Sequence, residues 1–294
     1  MKKAFIQLHI AVLLAGLTGV LGKLITLNEG LLVWYRLLLT ALALWIIALL
    51  RPSSSHIPRK EIFRIFGIGA IAAVHWVAFY GSIKYSNVSV GLLCFSAVGF
   101  FTALIEPLIL RHRLDYVELL LGLMVIAGIF FIFQVNPSYK TGIVIGLISS
   151  LLGSLFPVLN KRILYRVPAA TVTLYELTGG FLALSVLLPF YLRLVPTAKL
   201  LPDWKDWIGL LVLSLACTVL AFNLSMNALK KLSAFTVNLS YNLEPVYGII
   251  LAFILFREDK YMRGGFYIGF GLIILSIVLQ MLRMWRRREK GEGQ

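Results

Sequence analysis

The chain has 294 residues, 60% of them hydrophobic and 14% charged, where an average soluble domain carries about 25% charged residues. That balance excludes an ordinary water-soluble enzyme and leaves too little polar sequence for long disorder. The net charge of +15 does not read as a nucleic-acid surface, because Lys and Arg fall almost entirely in short gaps between apolar runs.

Apolar runs of about 20 residues, the length that crosses a bilayer as a helix, recur ten times along the chain. They cover 4–27, 31–50, 62–83, 87–110, 115–134, 141–160, 168–192, 206–229, 233–256 and 264–284. No connection is long enough for a soluble domain; the largest are 51–61, rich in Ser and Pro, and 193–205. Cys94 and Cys217 lie inside apolar runs and read as small core residues. With both termini in the cytoplasm, eighteen Lys and Arg residues lie on the cytoplasmic side and eight on the other. Basic residues in short loops stay on the cytoplasmic side, so this orientation is predicted, with the chain multi-pass in the cell (inner or plasma) membrane. Residues 1–27 begin like a signal peptide, with Lys2 and Lys3 before an apolar stretch. They lack a small-x-small cleavage site and are predicted to remain as the first span.

The two halves echo each other. Tyr35-Arg36-Leu37 with Leu42-Ala43-Leu44 matches Tyr175-Glu176-Leu177 with Leu182-Ala183-Leu184. Lys23 late in the first span has a counterpart in Lys161, Ile83-Lys84-Tyr85-Ser86 lines up with Lys230-Lys231-Leu232-Ser233, and the same offset carries Gly122 onto Gly269. A five-helix repeat has an odd number of crossings, so its second copy enters the membrane from the opposite face. The predicted fold is therefore an all-α integral membrane protein of ten transmembrane helices in two inverted five-helix repeats, residues 1–137 and 138–294. Such repeats build alternating-access transporters, with the substrate site near the midplane between the halves.

The Lys late in span one, the Tyr35-Arg36 pair early in span two, and Ala-Leu-Lys-Lys-Leu-Ser-Ala at 228–234 leading to Pro245 together resemble the EamA branch of the drug/metabolite transporter superfamily. The Phe-Arg-Glu run at 256–258 and the glycine-rich tenth span (Gly264, Gly265, Gly269, Gly271) are also similar to it. The resemblance covers nearly the whole chain. It implies two EamA repeats, a central cavity, and export of small metabolites, often amino acids. One departure is that the counterpart of Glu258 in the first half is Arg111.

An ionisable group at the centre of a span costs about 2.5–3.5 kcal/mol to insert and usually faces a cavity or a partner. The candidates for coupling or charge pairing are Glu244, Arg36, Glu176 and His75, with Lys23, Lys161 and Glu106 nearer span ends. Glu244 reads as a titrating carboxylate on a cavity or as a structural partner of Arg36. Pro245 beside it removes a backbone donor and loosens the ninth span at mid-membrane. Asn238, Tyr241, Asn242 and Pro245 share one helical face, to which polar groups in lipid must bring substrate, water or another helix. In the eighth span, Asn223 and Asn227 are the repeat counterparts of Trp76 and Tyr80 in the third. An amide pair facing an aromatic pair would make a substrate wall, with hydrogen bonds from one side and stacking from the other. Packing is the alternative role for the aromatics, and a fixed hydrogen bond is the alternative for His75.

These residues predict a secondary transporter that exports a small polar or amphipathic metabolite. A lipid-carrier flippase is the alternative. An integral membrane enzyme is weaker still, because His9, His56, His75 and His112 are scattered and no nucleophile, metal or nucleotide motif occurs. No cofactor or metal is expected. The expected partners are a small-molecule substrate and the lipid bilayer, with no nucleic acid; a homodimer is an admissible assembly.

Overall fold

The computed structural model describes residues 2–50, 57–111, 113–135, 137–229, 240–241 and 243–289, and every regular element among them is helical. The first three spans are α1 (Lys2–Leu24), α2 (Glu29–Leu50) and α3 (Arg59–Tyr85). The fourth span is two helices, α4 (Val88–Phe95) and α5 (Val98–Leu110), followed by α6 (Tyr116–Val135). The second half holds α7 (Lys140–Leu164), α8 (Ala169–Leu194), an eighth span made of α9 (Trp204–Leu211), a π segment (Val212–Leu220) and α10 (Ala221–Leu229), then α11 (Glu244–Phe256) and α12 (Gly264–Glu289). Nine described spans are long and apolar enough to cross a membrane, and α11 is the described half of the remaining one.

Polar caps define several of the starts. Asn28 Oδ1 accepts from Leu31 N–H at 2.8 Å before α2, Asn87 Oδ1 from Val90 N–H at 2.9 Å before α4, and Asp203 Oδ1 from Asp206 N–H at 2.9 Å before α9. Each satisfies a backbone donor that the first helical turn leaves unpaired. Exposed aromatics ring both ends, Tyr116, Tyr165 and Trp285 at the end carrying the N-terminus and Trp204 and Tyr261 at the other. Amphipathic rings favour such interfacial depths.

The uninterrupted helix expected over 87–110 is broken. Ser96 N–H is shared between the carbonyls of Leu92 (3.2 Å) and Leu93 (3.1 Å), and Ala97 N–H bonds Cys94 O at 3.0 Å. Ser96 Oγ also bonds back to Leu92 O, and hydroxyls that bond back to their own helix bend it. The ninth span breaks at the matching place, where Leu243 N–H closes a turn on Ser240 O at 3.0 Å and Pro245 sits in the first turn of α11. Both downstream helices have 13 residues and end on an arginine in the left-handed conformation, Arg111 (φ 58°) and Arg257 (φ 54°). These caps pair Arg257 with Arg111, so the counterpart of Glu258 is position 112 and not Arg111. The repeat offset slips by one residue between the third span and the end of the fourth.

Packing follows the pseudo-twofold. Helix α3 lies against α7 and α8, and the eighth span mirrors it against α1 and α2; α5 on α7 is mirrored by α11 on α1. The pairs α2–α8 and α6–α12 are each their own mirror image, and α4 packs on α11. Glycines set the closest crossings. A Cβ at Gly69 would overlap the carbonyl oxygen of Glu176 and lie 2.8 Å from Gly180 N, and one at Gly16 would lie 3.0 Å from Glu244 O. Small residues of this kind let membrane helices approach closely, and here they fix the backbone under both acidic candidates.

Gly69→Val should force α3 and α8 apart and cost about 1–3 kcal/mol, as overpacking does. Gly67→Ala on the same helix, where a Cβ meets nothing within 4 Å, should be neutral or slightly stabilising. Thermal unfolding of the two purified variants measures the contrast; equal midpoints would remove the crossing from the account.

Candidate functional site

Cavities open among the described residues; one lies at the end carrying the N-terminus, and two reach from Arg36, Trp76 and Ser96, in the far half of their spans, toward Leu44, Thr173 and Gln280 nearer that end. The central one, about 360 Å³, lies between the halves and is walled by Arg36, Thr40, Trp76, Asn160, Glu176, Cys217, Thr218 and Tyr241. A second, about 430 Å³, sits at the two helix breaks, with Ser96 and Gly99 from one and Tyr241, Glu244 and Pro245 from the other. Tyr241 is common to both. Its hydroxyl lies 2.6 Å from Ser225 Oγ, which ties the ninth span to α10.

Arg36 organises the central cavity. It is only 5% exposed, its Nη1 donates to Tyr80 Oη at 2.8 Å, and its Nη2 donates to Thr218 Oγ1 at 3.2 Å. The guanidinium carbon stands 4.3 Å from the centre of the Trp76 ring, the geometry of a cation–π contact. No carboxylate lies within 4 Å of it among the described residues, and its buried Nε has no hydrogen-bond partner there. Across the same cavity Glu176, also buried, accepts from Asn160 Nδ2 at 2.6 Å, while Asn160 Oδ1 is left without a partner. One pocket therefore presents a cation and a carboxyl with polar valences still open.

The π segment explains part of this. Its wider turns bring Ser214 Oγ to 3.2 Å from Arg36 O and let Thr218 Oγ1 receive the guanidinium while bonding its own Leu213 O at 2.9 Å. π-bulges occur often at functional sites. The same wider turns rotate the residues downstream away from the face an unbroken α-helix would give them. Asn223 and Asn227 are exposed, Asn223 Nδ2 bonds Val219 O at 2.9 Å, and neither lines a cavity. Val219, Ala221 and Phe222 take that wall instead.

Trp76 lines the cavity as a stacking surface, whereas Tyr80 is completely buried behind it and holds Arg36. His75 is a fixed structural group. Its Nδ1 lies 2.8 Å from Ser149 O, which requires a proton on that nitrogen, and its ring packs among Trp76, Phe79, Phe95 and Phe156. Glu244 lines the second cavity and makes no ion pair among the described residues. Asn238 and Asn242 lie outside the described residues.

A model of the EamA-like transporter family matches residues 2–134 and again 140–282. The chain belongs to the EamA-like transporter family. A solved structure titled only "Crystal structure of protein" is similar at 18% identity with a TM-score of 0.64, over 97% of this chain and 99% of that one. At that identity the likeness shows the fold alone. No curated protein matches.

At the end opposite the N-terminus, polar contacts join the two repeats. Glu258, 2% exposed, receives Val88 N–H (3.1 Å), Ser89 N–H (2.9 Å) and Ser89 Oγ (2.7 Å), capping α4, and pairs with Lys23 at 2.8 Å. Carboxylates are favourable at helix N-termini because unpaired N–H groups and the helix dipole point there. Lys23, expected near a span end, takes its partner from the other repeat. Beside it, Asp206 receives Thr26 N–H at 2.7 Å and Lys199 Nζ at 2.6 Å, and Tyr191 donates to Glu29 at 2.5 Å. Lys199 also pairs with Asp203 at 2.8 Å, and that hydrogen bond holds the Asp203 carboxyl below the usual carboxylate range. This pair therefore persists through mild acidification and is lost only as pH falls through the lowered value. The opposite end carries the exposed Lys161–Glu106 pair at 2.6 Å.

Both cysteines are buried, and of the two Cys217 lines the central cavity, so its labelling can report on opening of that cavity. Glu258→Ala removes a cap worth about 0.5–2 kcal/mol. It should raise labelling of Cys217 by a membrane-impermeant maleimide, applied from the Lys23 face, by up to about tenfold. Peptide mass spectrometry of labelled vesicles of known sidedness gives the answer, and unchanged labelling would show that this cluster does not hold the end shut.

Proposed function

We propose that this transporter exports small zwitterionic metabolites, amino acids among them, across the cell membrane by rocking one five-helix repeat against the other. The observation that carries this reading is the pairing of Arg36 with Glu176. They occupy equivalent positions of the two repeats, carry opposite charge, and line the same central cavity. A guanidinium is suited to a substrate carboxylate, a carboxylate to an ammonium group, and the Trp76 face to an apolar side chain. The cavity volume falls in the range of about 300–1,000 Å³ common for small-molecule pockets.

Direction and sidedness rest on two further observations. Basic residues crowd the end bearing the N-terminus, which supports a cytoplasmic location for both termini. Cavities reach toward that end while ion pairs close the other, an arrangement suited to loading from inside. Broken helices at corresponding places in the two halves are a mark of midplane sites in inverted-repeat transporters. Glu244, at the ninth-span break, is the candidate proton carrier.

Proteoliposomes loaded with a set of free amino acids should release some of them without ATP. N-acetylated and amidated analogues, each lacking one charge, should move at least about tenfold more slowly, the cost of one charged hydrogen bond. Arg36→Lys, which keeps charge but loses the planar fork, and Glu176→Gln should each lower transport about tenfold or more with expression intact. Analogues moving as fast as the zwitterions would overturn the substrate assignment.

An imposed pH gradient should accelerate release from the same vesicles, and Glu244→Gln should abolish that response while leaving exchange down a concentration gradient. A wild-type protein indifferent to the gradient would remove Glu244 as a proton carrier.

A further inference from the structure

The 920 Å³ groove between the first turns of α3 and the last turn of α7 shares no lining residue with the central cavity. On α7, Phe156 and Asn160 face the centre, whereas Leu159, Arg162 and Ile163 turn to this groove. Its floor is apolar, with Ile68 and Ile71 from α3 and Ile163 from α7, and its rim carries three guanidiniums, Arg64, Arg162 and Arg166. Arg64 is compensated by Glu61 at 2.7 Å. Arg162 donates to the carbonyl of Ile109, and neither Arg162 nor Arg166 makes an ion pair among the described residues. Two cations thus stand over an aliphatic channel at the membrane boundary, on the end where basic residues concentrate. Gly67 widens the channel, because a Cβ there would meet nothing within 4 Å.

We propose that this groove is a binding site for one anionic phospholipid, its phosphate between Arg162 and Arg166 and an acyl chain along Ile68, Ile71 and Ile163. Basic pockets between transmembrane helices on the cytoplasmic side take anionic head groups in this way. An apolar floor beneath the cations distinguishes the site from one for a soluble anion, which would gain nothing from the isoleucines. A neutral lipid would leave both cations facing a head group with no net charge. The lipid would bridge α3 of the first repeat to α7 of the second.

The purified full-length protein is offered equal amounts of phosphatidylglycerol and phosphatidylcholine of matched chain length, and retained lipid is counted by native mass spectrometry. One phosphatidylglycerol should be kept with about a tenfold preference. Arg162→Gln and Arg166→Gln should each reduce that preference about fivefold, and the double variant should erase it. Gly67→Phe fills the channel without touching a charge and should lower retention of both lipids. Glycerol phosphate, the head group without chains, should not displace the lipid at equal concentration. Equal retention of the two lipids by the wild-type protein, or displacement by glycerol phosphate, would overturn the proposal. Should the arginine variants not fold, the wild-type comparison and Gly67→Phe still decide it.

Discussion

A guanidinium buried within a span, with no carboxylate within 4 Å of it among the described residues, is the constraint around which the centre of this transporter is arranged. Such a charge is tolerated only if protein groups replace the water it has lost. Tyr80 and Thr218 supply two hydrogen bonds and Trp76 a π-face. Each requirement propagates outward. Tyr80 can reach inward only because Gly22 has no side chain, since a Cβ there would run into its ring. Thr218 is in place because the eighth span widens into π turns, and Ser214 on the same stretch holds the backbone carbonyl of Arg36 itself. The site thus draws on three spans of the first repeat and one of the second.

The two ends of the molecule are built from different interactions. At the far end two buried carboxylates join the repeats, Glu258 to Lys23 and Asp206 to Thr26. At the near end the Lys161–Glu106 pair is exposed and the space between helices is open. Exposed pairs contribute little to stability, about 0–1 kcal/mol, so the near end is the easier one to rearrange. The far-end cluster is also where the backbone changes direction. Glu258 follows the left-handed cap of α11 and itself caps α4, so one carboxylate links the two broken spans.

Much of the architecture was legible in the sequence, because a bilayer converts apolar length directly into a span and odd repeat number into inversion. Arg36, Glu176 and Trp76, which line the central cavity, stand out in the sequence because charge and large rings inside spans are costly or conspicuous. What escaped reading has a common physical origin in backbone that leaves the α-helix without a proline or glycine to announce it. The Ser96–Ala97 break is made by shared carbonyls and a serine hydroxyl, and the π segment Val212–Leu220 is an ordinary apolar run. An α-helical wheel therefore turned Asn223 and Asn227 the wrong way. Glu258 carried no signal of its role either, since its partners Val88 and Ser89 are distant in sequence and contribute backbone N–H groups common to every residue.

Under the proposed function, the opposite charges of Arg36 and Glu176 would make the inverted repeat selective. Two identical halves would place like groups at related positions, and a symmetric cavity cannot tell one end of a zwitterion from the other. Here Tyr35-Arg36-Leu37 and Tyr175-Glu176-Leu177 keep the flanking residues and change only the middle one. The scaffold under each differs accordingly. Arg36 is held by side chains, whereas Glu176 is positioned through its own backbone, pressed against Gly69 where α3 crosses α8, and oriented by Asn160. A long flexible cation needs lateral support, and a short carboxyl needs a fixed main chain, so the same fold position calls for different neighbours in each half.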